Sequence, residues 1–173
     1  MQLLAHTSLP LSAALERDAV EAIAPGVAGL LAPLSEAGAP RDRIGLFVVS
    51  PNAGAPTSLR FWAEAQRTGL ALASPELFPW CLANAPCGAL SRRLGITGPN
   101  FTFLGGASAL HDATEAAGDL LHAGRIDLAL IVRLAFADAT RTSARGFALV
   151  VGPGAGDARA TLDQLPPGAA DWP

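Results

Sequence analysis

Ser108, His111 and Asp112 lie within five residues of one another and carry the side chains of a serine hydrolase. On a helix, residues three or four apart share a face, so Ser108 can meet either of the other two. His111 and Asp112 are adjacent, however, and point about 100° apart, which prevents the imidazole–carboxylate hydrogen bond of a triad. The structural interpretation is that Ser108 caps a helix and that the negative charge of Asp112, in the first turn, interacts favourably with the helix dipole. An acyltransferase or hydrolase acting through Ser108 stays open as the enzyme alternative.

Cys81 and Cys87 are the second possible source of chemistry. They lie six residues apart with Pro86 between them, and this spacing puts them about 240° apart around a helix. The spacing therefore predicts neither a disulfide nor a shared metal site, and we expect both thiols to pack in the interior. Cys81 is the second candidate nucleophile of the enzyme alternative. We expect no cofactor, because the glycine-rich run 152–159 lacks the Gly-Lys-Ser/Thr ending of a phosphate loop.

The composition limits the classes of partner. The chain has 173 residues, of which 50% are hydrophobic and 16% charged, with a net charge of −3. This balance predicts one globular domain and argues against nucleic acid as a partner. No uninterrupted apolar run reaches the roughly 18 residues of a membrane span, and the N-terminus lacks a basic leader, so we expect a cytoplasmic protein. We expect a single domain over 1–152 and an irregular Pro/Gly-rich tail over 153–173.

Hydrophobic periodicity predicts alternating helices and strands. The predicted helices cover 16–38, 58–66, 79–95 and 108–124, and the predicted strands cover 43–50, 100–105, 127–137 and 145–152. Pro25 and Pro33 predict a kinked first helix, Ser58 caps the second, and Pro86 bends the third. Glycines are expected to end three of these helices: Gly38, Gly95 and Gly124. The alternation predicts an α/β fold with a mixed or parallel sheet, and it leaves residues 1–15 unassigned.

The order of these segments resembles the N-terminal half of a β-ketoacyl synthase, a condensing enzyme of the thiolase fold. The resemblance covers about 43–152 and rests on the segments "SPELFP", "NAPCGALSRRLGITGPN", "FTFLGG" and "HAGRIDLALI" in that order, ending with "GFALVVG". Gly98-Pro99 before the strand is among the recognisable marks. The resemblance implies a truncated thiolase-like fold, with helices packed on a mixed sheet.

Two departures from the family bear on function. Active ketosynthases carry an acyl-accepting cysteine at the turn before the helix, where the helix dipole favours the thiolate, and the matching residue here is Ala107. The family's C-terminal half supplies two histidines, whereas His6, His111 and His122 match neither, and this chain ends where that half would begin. The resemblance therefore implies a catalytically silent subunit similar to a chain-length factor, the kind associated with aryl-polyene, polyketide or fatty-acid-type assembly.

A chain-length factor pairs with an active ketosynthase and shapes its acyl pocket. The resemblance therefore implies roles for two sets of residues. The pocket or gate candidates are Leu77, Phe78, Trp80 and Cys81. The dimer-interface candidates are Asn100, Phe101, Thr102, Phe103 and Leu104, an apolar strand without the lysine or proline that protects an exposed edge. The partner is expected to be an active ketosynthase or a second copy, and the Ala-rich helix after the strand is expected to expose an apolar face.

Two further alternatives concern partners. Six arginines are scattered along the sequence and are expected to be solvated: Arg92, Arg93, Arg125, Arg133, Arg141 and Arg145. A few of them could contact an acidic acyl carrier protein. The non-enzymatic alternative to a ketosynthase partner is a structural remnant that folds only as a homodimer.

Overall fold

A five-stranded mixed sheet forms the centre of the computed structural model, which describes residues 1–10, 15–36, 39–137, 145–154 and 156–165. Its strands are β1 (Gln2–Pro10), β2 (Ile44–Ser50), β3 (Asn100–Leu104), β4 (Leu128–Ala135) and β5 (Arg145–Gly152). They lie in the order β1-β5-β4-β2-β3. Strand β2 is parallel to β3 and β4, whereas β5 is antiparallel to β4 and β1. The predicted α/β class with a mixed sheet is confirmed.

Helices cover both faces of the sheet. The α-helices are α1 (Glu16–Glu36), α2 (Ala55–Thr68), α3 (Ala85–Leu94), α4 (Ala107–His122) and α5 (Ala158–Leu162). Helices α1 and α3 pack on one face, and α4 packs on the other with α5 beside it. Every residue of β2 and β4 is buried, because each strand has neighbours on both sides and helices above and below. This explains why both strands are continuous apolar runs rather than alternating ones.

Helix α1 is continuous, although the sequence predicts a kink. Pro25 and Pro33 both lie inside it, and both are exposed. A proline removes a helical hydrogen bond, but on the outward face water can bind the carbonyl that is released. The inward face is continuous and packs against the sheet. The predicted end at Gly38 lies outside the described residues.

Two predicted helix starts are wrong. Helix α2 begins at Ala55 after Gly54, which has a left-handed φ of 82°, so Ser58 lies inside the helix and does not cap it. Pro86 lies in the first turn of α3, where its missing N–H costs nothing, and it bends no helix. Cys81 ends a separate 3₁₀ turn, Phe78–Cys81. The two cysteines therefore belong to different elements, and both are free thiols.

Sequence patterns missed an element near each end of the described chain. Strand β1 pairs with β5 along its whole length, with one irregularity between Leu3 and Ala5. Helix α5 lies in the segment that was expected to be irregular, and the Asp157 side chain caps it by accepting from the Ala160 N–H at 2.8 Å. The expected domain boundary after residue 152 stays a prediction.

Arg133 corrects the expectation that the arginines are solvated. It lies on β4, opposite Val49 of β2, and its exposed fraction is only 1%. Arg133 is buried because β4 lies inside the sheet and is covered on both faces. Four of the other arginines are exposed as expected, namely Arg92, Arg93, Arg125 and Arg145. Arg141 lies outside the described residues.

Candidate functional site

The turn between β3 and α4 has the predicted strand–turn–helix form. Gly105 has a φ of 143°, and its N–H donates to the Ser50 carbonyl of β2 at 3.0 Å. Gly106 precedes α4 without a side-chain cap, and Ala107 is the first helical residue. Ala107 and Ser108 are both exposed. Ala107, which the resemblance predicts to match the family's cysteine, therefore lies open at a helix N-terminus and carries only a methyl group.

Gly98 explains how β3 reaches its place beside β2. A Cβ at this position would overlap the Ile44 carbonyl oxygen and lie 2.8 Å from that of Asp42. The close approach lets the Leu46 N–H donate to the Pro99 carbonyl at 2.9 Å. The structure thus requires glycine at position 98 for a steric reason, which does not depend on catalysis.

Ser108, His111 and Asp112 do not assemble into a triad. Ser108 is the second residue of α4 and does not cap it, which corrects the structural interpretation of this serine. His111 lies nearest to Glu115, one turn on, with Nε2 3.9 Å from Oε1. Both of these side chains are at least half exposed. The carboxylate beside the histidine is therefore Glu115 rather than Asp112, in an exposed pair of the kind found on many helix surfaces.

The outward face of α4 is polar, which overturns the expected exposed apolar face. Its exposed polar residues are Ser108, His111, Asp112, Glu115, Asp119 and His122. The alanines of this helix point mostly inward, where they form part of the core with Leu110 and Leu121. Composition alone suggested an apolar surface because it does not show on which side the alanines lie.

Asn52 joins the carboxyl ends of β2 and β4, and sequence reasoning missed it. Its Nδ2 donates to the Phe136 carbonyl at 2.8 Å, and its Oδ1 accepts from the Phe136 N–H at 3.0 Å. This two-bond contact fixes the short loop between β2 and α2. An asparagine two residues beyond a buried strand was the available signal, because its amide can pair with a backbone N–H and carbonyl at once.

Two of the gate candidates line a cavity of about 470 Å³. Leu77 and Trp80 contribute to its wall, together with residues from the start of α1, from α2 and from the loop after it. The remaining lining residues are Leu15, Arg17, Asp18, Thr57, Arg60, Glu64, Ser74 and Glu76. Five of these are charged, so within this chain the cavity is not a continuous apolar channel. The hydroxyl of Thr57, one of the lining residues, donates to the buried carboxylate of Glu16.

The other two gate candidates have different surroundings. Phe78 is 60% exposed, and its ring centroid lies 5.8 Å from that of Phe61 on α2. The Cys81 thiol donates to the Leu77 carbonyl at 3.5 Å, and the Cys81 carbonyl accepts from the Ser58 hydroxyl at 3.3 Å. The structure therefore brings Leu77 and Trp80 together at the cavity and directs Phe78 toward the surface. Their role as a gate stays a prediction.

Cys87 is a packing residue. It is buried in α3, and its thiol donates to the Phe101 carbonyl of β3 at 3.4 Å. Burial raises the pKa of this thiol to about 11, so it is protonated at neutral pH and is a poor nucleophile. The contact attaches α3 to the edge strand.

The five interface candidates make up β3, which lies at one edge of the sheet. Phe101 is 44% exposed and Leu104 is 59% exposed. On the sheet face that carries α4, the Phe47 ring stacks with Phe101 at 5.5 Å and with Phe103 at 6.5 Å. The strand thus presents a short, apolar, unpaired edge held by aromatic packing, which is a favourable template for pairing with another chain.

No protein-family model matches the sequence, and no curated protein matches it. Solved structures do match in fold. The ishigamide ketosynthase/chain length factor is 18% identical, with a TM-score of 0.59 over 65% of this chain and 36% of that chain. The ketosynthase ApeO in complex with its chain length factor ApeC from Xenorhabdus doucetiae is 18% identical, with a TM-score of 0.61 over 83% of this chain and 58% of that chain.

A third similar structure is AntDE:AntF, a type II PKS acyl-carrier protein in complex with its ketosynthase. It is 15% identical, with a TM-score of 0.60 over 89% of this chain and 48% of that chain. The present chain thus spans between 36% and 58% of the length of these relatives. The matches show that it has the α/β fold of ketosynthase and chain-length-factor subunits. Separately, none of the helices in the described ranges is long and apolar enough to cross a membrane.

Proposed function

We propose that this protein is a non-catalytic, chain-length-factor-like subunit that pairs with an active β-ketoacyl synthase. The observation that carries the proposal is the exposed Ala107 at the start of α4, on a strand–turn–helix that is otherwise complete. In the family that the sequence resembles, this turn presents the acyl-accepting cysteine. A methyl group cannot form a thioester, so the scaffold fits a structural role in polyketide, aryl-polyene or fatty-acid-type assembly.

The proposed partner is a thiolase-fold ketosynthase that binds at β3. Two of the similar structures are described as a ketosynthase with a chain length factor, and a third includes an acyl carrier protein. The short apolar edge of β3 supports pairing with a strand of another subunit, since within the described part of the chain no strand lies beside its backbone groups on that side. An acyl carrier protein and a cytoplasmic location stay predictions.

The proposed contribution to the acyl pocket comes from Leu77, Phe78, Trp80 and Cys81. Bulky side chains at the closed end of a tunnel limit chain length, because crowding a packed wall costs about 1–3 kcal/mol. Leu77 and Trp80 already share a cavity wall, and Phe78 points outward. We expect Trp80→Ala in the complex to lengthen the products, as measured by mass spectrometry. Unchanged product lengths would contradict the pocket-shaping role without affecting the pairing.

The pairing is tested by co-expression of the tagged chain with each ketosynthase of its source genome. We expect one of them to co-elute as a complex of defined mass by light scattering, and Phe103→Asp to abolish that complex. Ser8→Asp controls for the added charge, because it places that charge at an exposed position on β1, at the opposite edge of the sheet. Thermal melting of Phe103→Asp checks that the fold survives the loss of the stack on Phe47. A Phe103→Asp variant that keeps the parental mass would show that the interface is wrongly assigned.

The enzyme alternative has its own test. Incubation with acyl thioesters and intact-mass analysis should give no adduct on this chain. A covalent acyl group on Ser108 or Cys81 would instead favour an acyltransferase or hydrolase.

A further inference from the structure

The cavity beside Leu77 and Trp80 has features that the proposed function does not use. Its volume of about 470 Å³ lies in the range of small-molecule sites, roughly 300–1,000 Å³. Its wall comes from three separate parts of the described chain: the start of α1, the helix α2, and the segment 74–80 that follows α2. We refer to it as the α1–α2 cavity.

A buried carboxyl group adjoins the α1–α2 cavity. Glu16 has an exposed fraction of 0%, and its neighbours in the chain, Leu15 and Arg17, both line the cavity. Its Oε2 accepts from the hydroxyl of Thr57, which is itself a lining residue. Its Oε1 is buried without a hydrogen-bond partner among the described residues. This is unusual, because the large majority of buried polar side-chain atoms have a partner, and an unpaired one is unfavourable.

Thr57 connects Glu16 to the cavity. A hydroxyl group has one proton and two acceptor lone pairs, and the Thr57 proton goes to Glu16. The lone pairs of Thr57 therefore suit a donor that enters from the cavity, and hydrogen bonds in such a chain strengthen one another. A donor that is also a cation gains further, because the attraction between opposite charges is larger where burial lowers the dielectric constant.

The charges around the cavity favour a cation over an anion. Its wall carries two arginines and three carboxylates, and Glu16 adds a fourth carboxylate through its contact with Thr57. Arg17 lies 3.6 Å from Asp18 and 3.8 Å from Glu76, so two carboxylates share this arginine. The cavity and Glu16 together have two positive and four negative groups, and this excess of negative charge attracts cations.

The apolar part of the wall indicates what the cation carries. Leu15, Leu77 and the half-buried Trp80 line the cavity and can pack against a short alkyl or aromatic group. The face of an indole ring also attracts an ammonium group more strongly than the other aromatic side chains do. The wall therefore suits an amine with a small apolar body better than a metal ion.

We propose that the α1–α2 cavity binds a small organic ammonium ion, a primary amine on a short alkyl or aromatic body. The ammonium group donates to the Thr57 hydroxyl and is attracted by the Glu16 carboxylate, while the body packs against Leu77 and Trp80. All of these residues belong to one chain, so the inference does not depend on the proposed ketosynthase partner.

The test is calorimetric titration of the full chain with three probes of similar shape: phenethylamine, the neutral phenethyl alcohol and the anionic hydrocinnamate. We expect phenethylamine to bind with a Kd below about 1 mM, and the other two probes to give no binding at the same concentrations. Glu16→Gln keeps the size of the side chain and an acceptor oxygen, and it should weaken phenethylamine binding at least about 10-fold. Glu115→Gln is the matched control, because it removes an exposed carboxylate of α4 that does not line the cavity, and it should bind within about 2-fold of the parent.

Thermal melting of Glu16→Gln shows whether this variant folds. If it does not, Trp80→Leu replaces it as the test, and we expect it to weaken phenethylamine binding at least about 3-fold through loss of the cation–π contact. Three results would overturn the proposal: no binding of phenethylamine, equal binding of all three probes, or parental binding by the folded variant. None of them bears on the ketosynthase pairing, which the Phe103→Asp experiment tests separately.

Discussion

Helices α2 and α4 each follow a parallel strand, yet they present opposite chemistry to their surroundings. Helix α4 places Leu110, Ala113 and Ala117 in the core and acidic and histidine side chains outside. Helix α2 buries only Thr57 and Ala65 and directs leucine and tryptophan outward. Ala107 thus lies on a helix whose inner side is packed. The exposed leucine and tryptophan lie on the helix after β2.

This difference separates the two requirements of the proposed non-catalytic subunit. The α4 region provides a stable core, which requires apolar residues inside and polar residues outside. The α2 region exposes large apolar side chains, and exposed apolar area of this kind lowers solubility unless it is covered. The identity of residue 107 has little effect on the first region, because Ala107 is exposed and contributes little to packing.

The largest expected effect comes from truncating a leucine on each helix. Leu110→Ala should lower the free energy of unfolding by about 2–5 kcal/mol, since this side chain is 1% exposed in the core. Leu59→Ala makes the same change at a 63% exposed position and should alter stability by less than about 0.5 kcal/mol. Urea unfolding of both variants measures the difference. Equal losses of unfolding free energy would contradict the distinction between the packed helix α4 and the exposed helix α2.

A smaller effect is expected where α2 is attached to the rest of the fold. Gly54→Ala meets a φ of 82° and the backbone oxygen of Cys81. Gly95→Ala is the control, because Gly95 has a φ of 66° with open space where the Cβ would lie. We expect thermal unfolding to show a loss of about 1–2 kcal/mol for the control and a larger loss for Gly54→Ala. If both variants lose the same stability, the close approach of Gly54 to the Cys81 backbone does not hold α2 in place.

The smallest effect concerns an ion pair near the end of α4. Arg43 donates to both carboxylate oxygens of Asp127, at 2.5 and 3.1 Å, and to the Gly124 carbonyl at 2.9 Å. The hydrogen bonds from Arg43 lower the pKa of Asp127, so the carboxylate stabilises the fold above its unfolded pKa, about 3.9. That contribution disappears as the pH falls through the lowered folded pKa.

Thermal melts of the parent and Asp127→Asn should therefore differ slightly at pH 7, with the parent more stable. The difference should shrink below about pH 4 and vanish in stronger acid. A difference that persists in acid would mean that Asp127 acts through packing rather than through its charge.

Much of the fold could be predicted because its central elements are encoded locally. The apolar runs of β2, β4 and β5 follow from the burial of these strands. Helix α4 ends just before Gly124, whose left-handed φ of 61° favours glycine. Strand β1 was missed because its nine residues mix polar and apolar types, and only long-range pairing with β5 makes them a strand. Pro86 was misread because a proline at a helix start and a proline at a bend look the same in a sequence.

The candidate site was predictable in part. Ala107 and the β3 residues fall where the sequence predicts them, since a strand, a glycine turn and a helix follow each other without long-range dependence. The polar outer face of α4 and the exposed Leu59 and Trp62 of α2 were not predicted, because they depend on which side of each helix faces the rest of the fold. Arg133 shows the same limit, since a charged residue is expected outside until its strand proves to be central.

The order of strands also determines when each strand can pair while the chain is being synthesised on the ribosome. Strand β1 ends at Pro10, and its only neighbour in the described sheet, β5, begins at Arg145. At cellular elongation rates, β1 waits about 7–27 s before its partner is synthesised. During that interval β2, β3 and β4 can already assemble in parallel, because their pairing needs only the residues up to Ala135. We therefore expect β1 to be the last of the described strands to join the sheet.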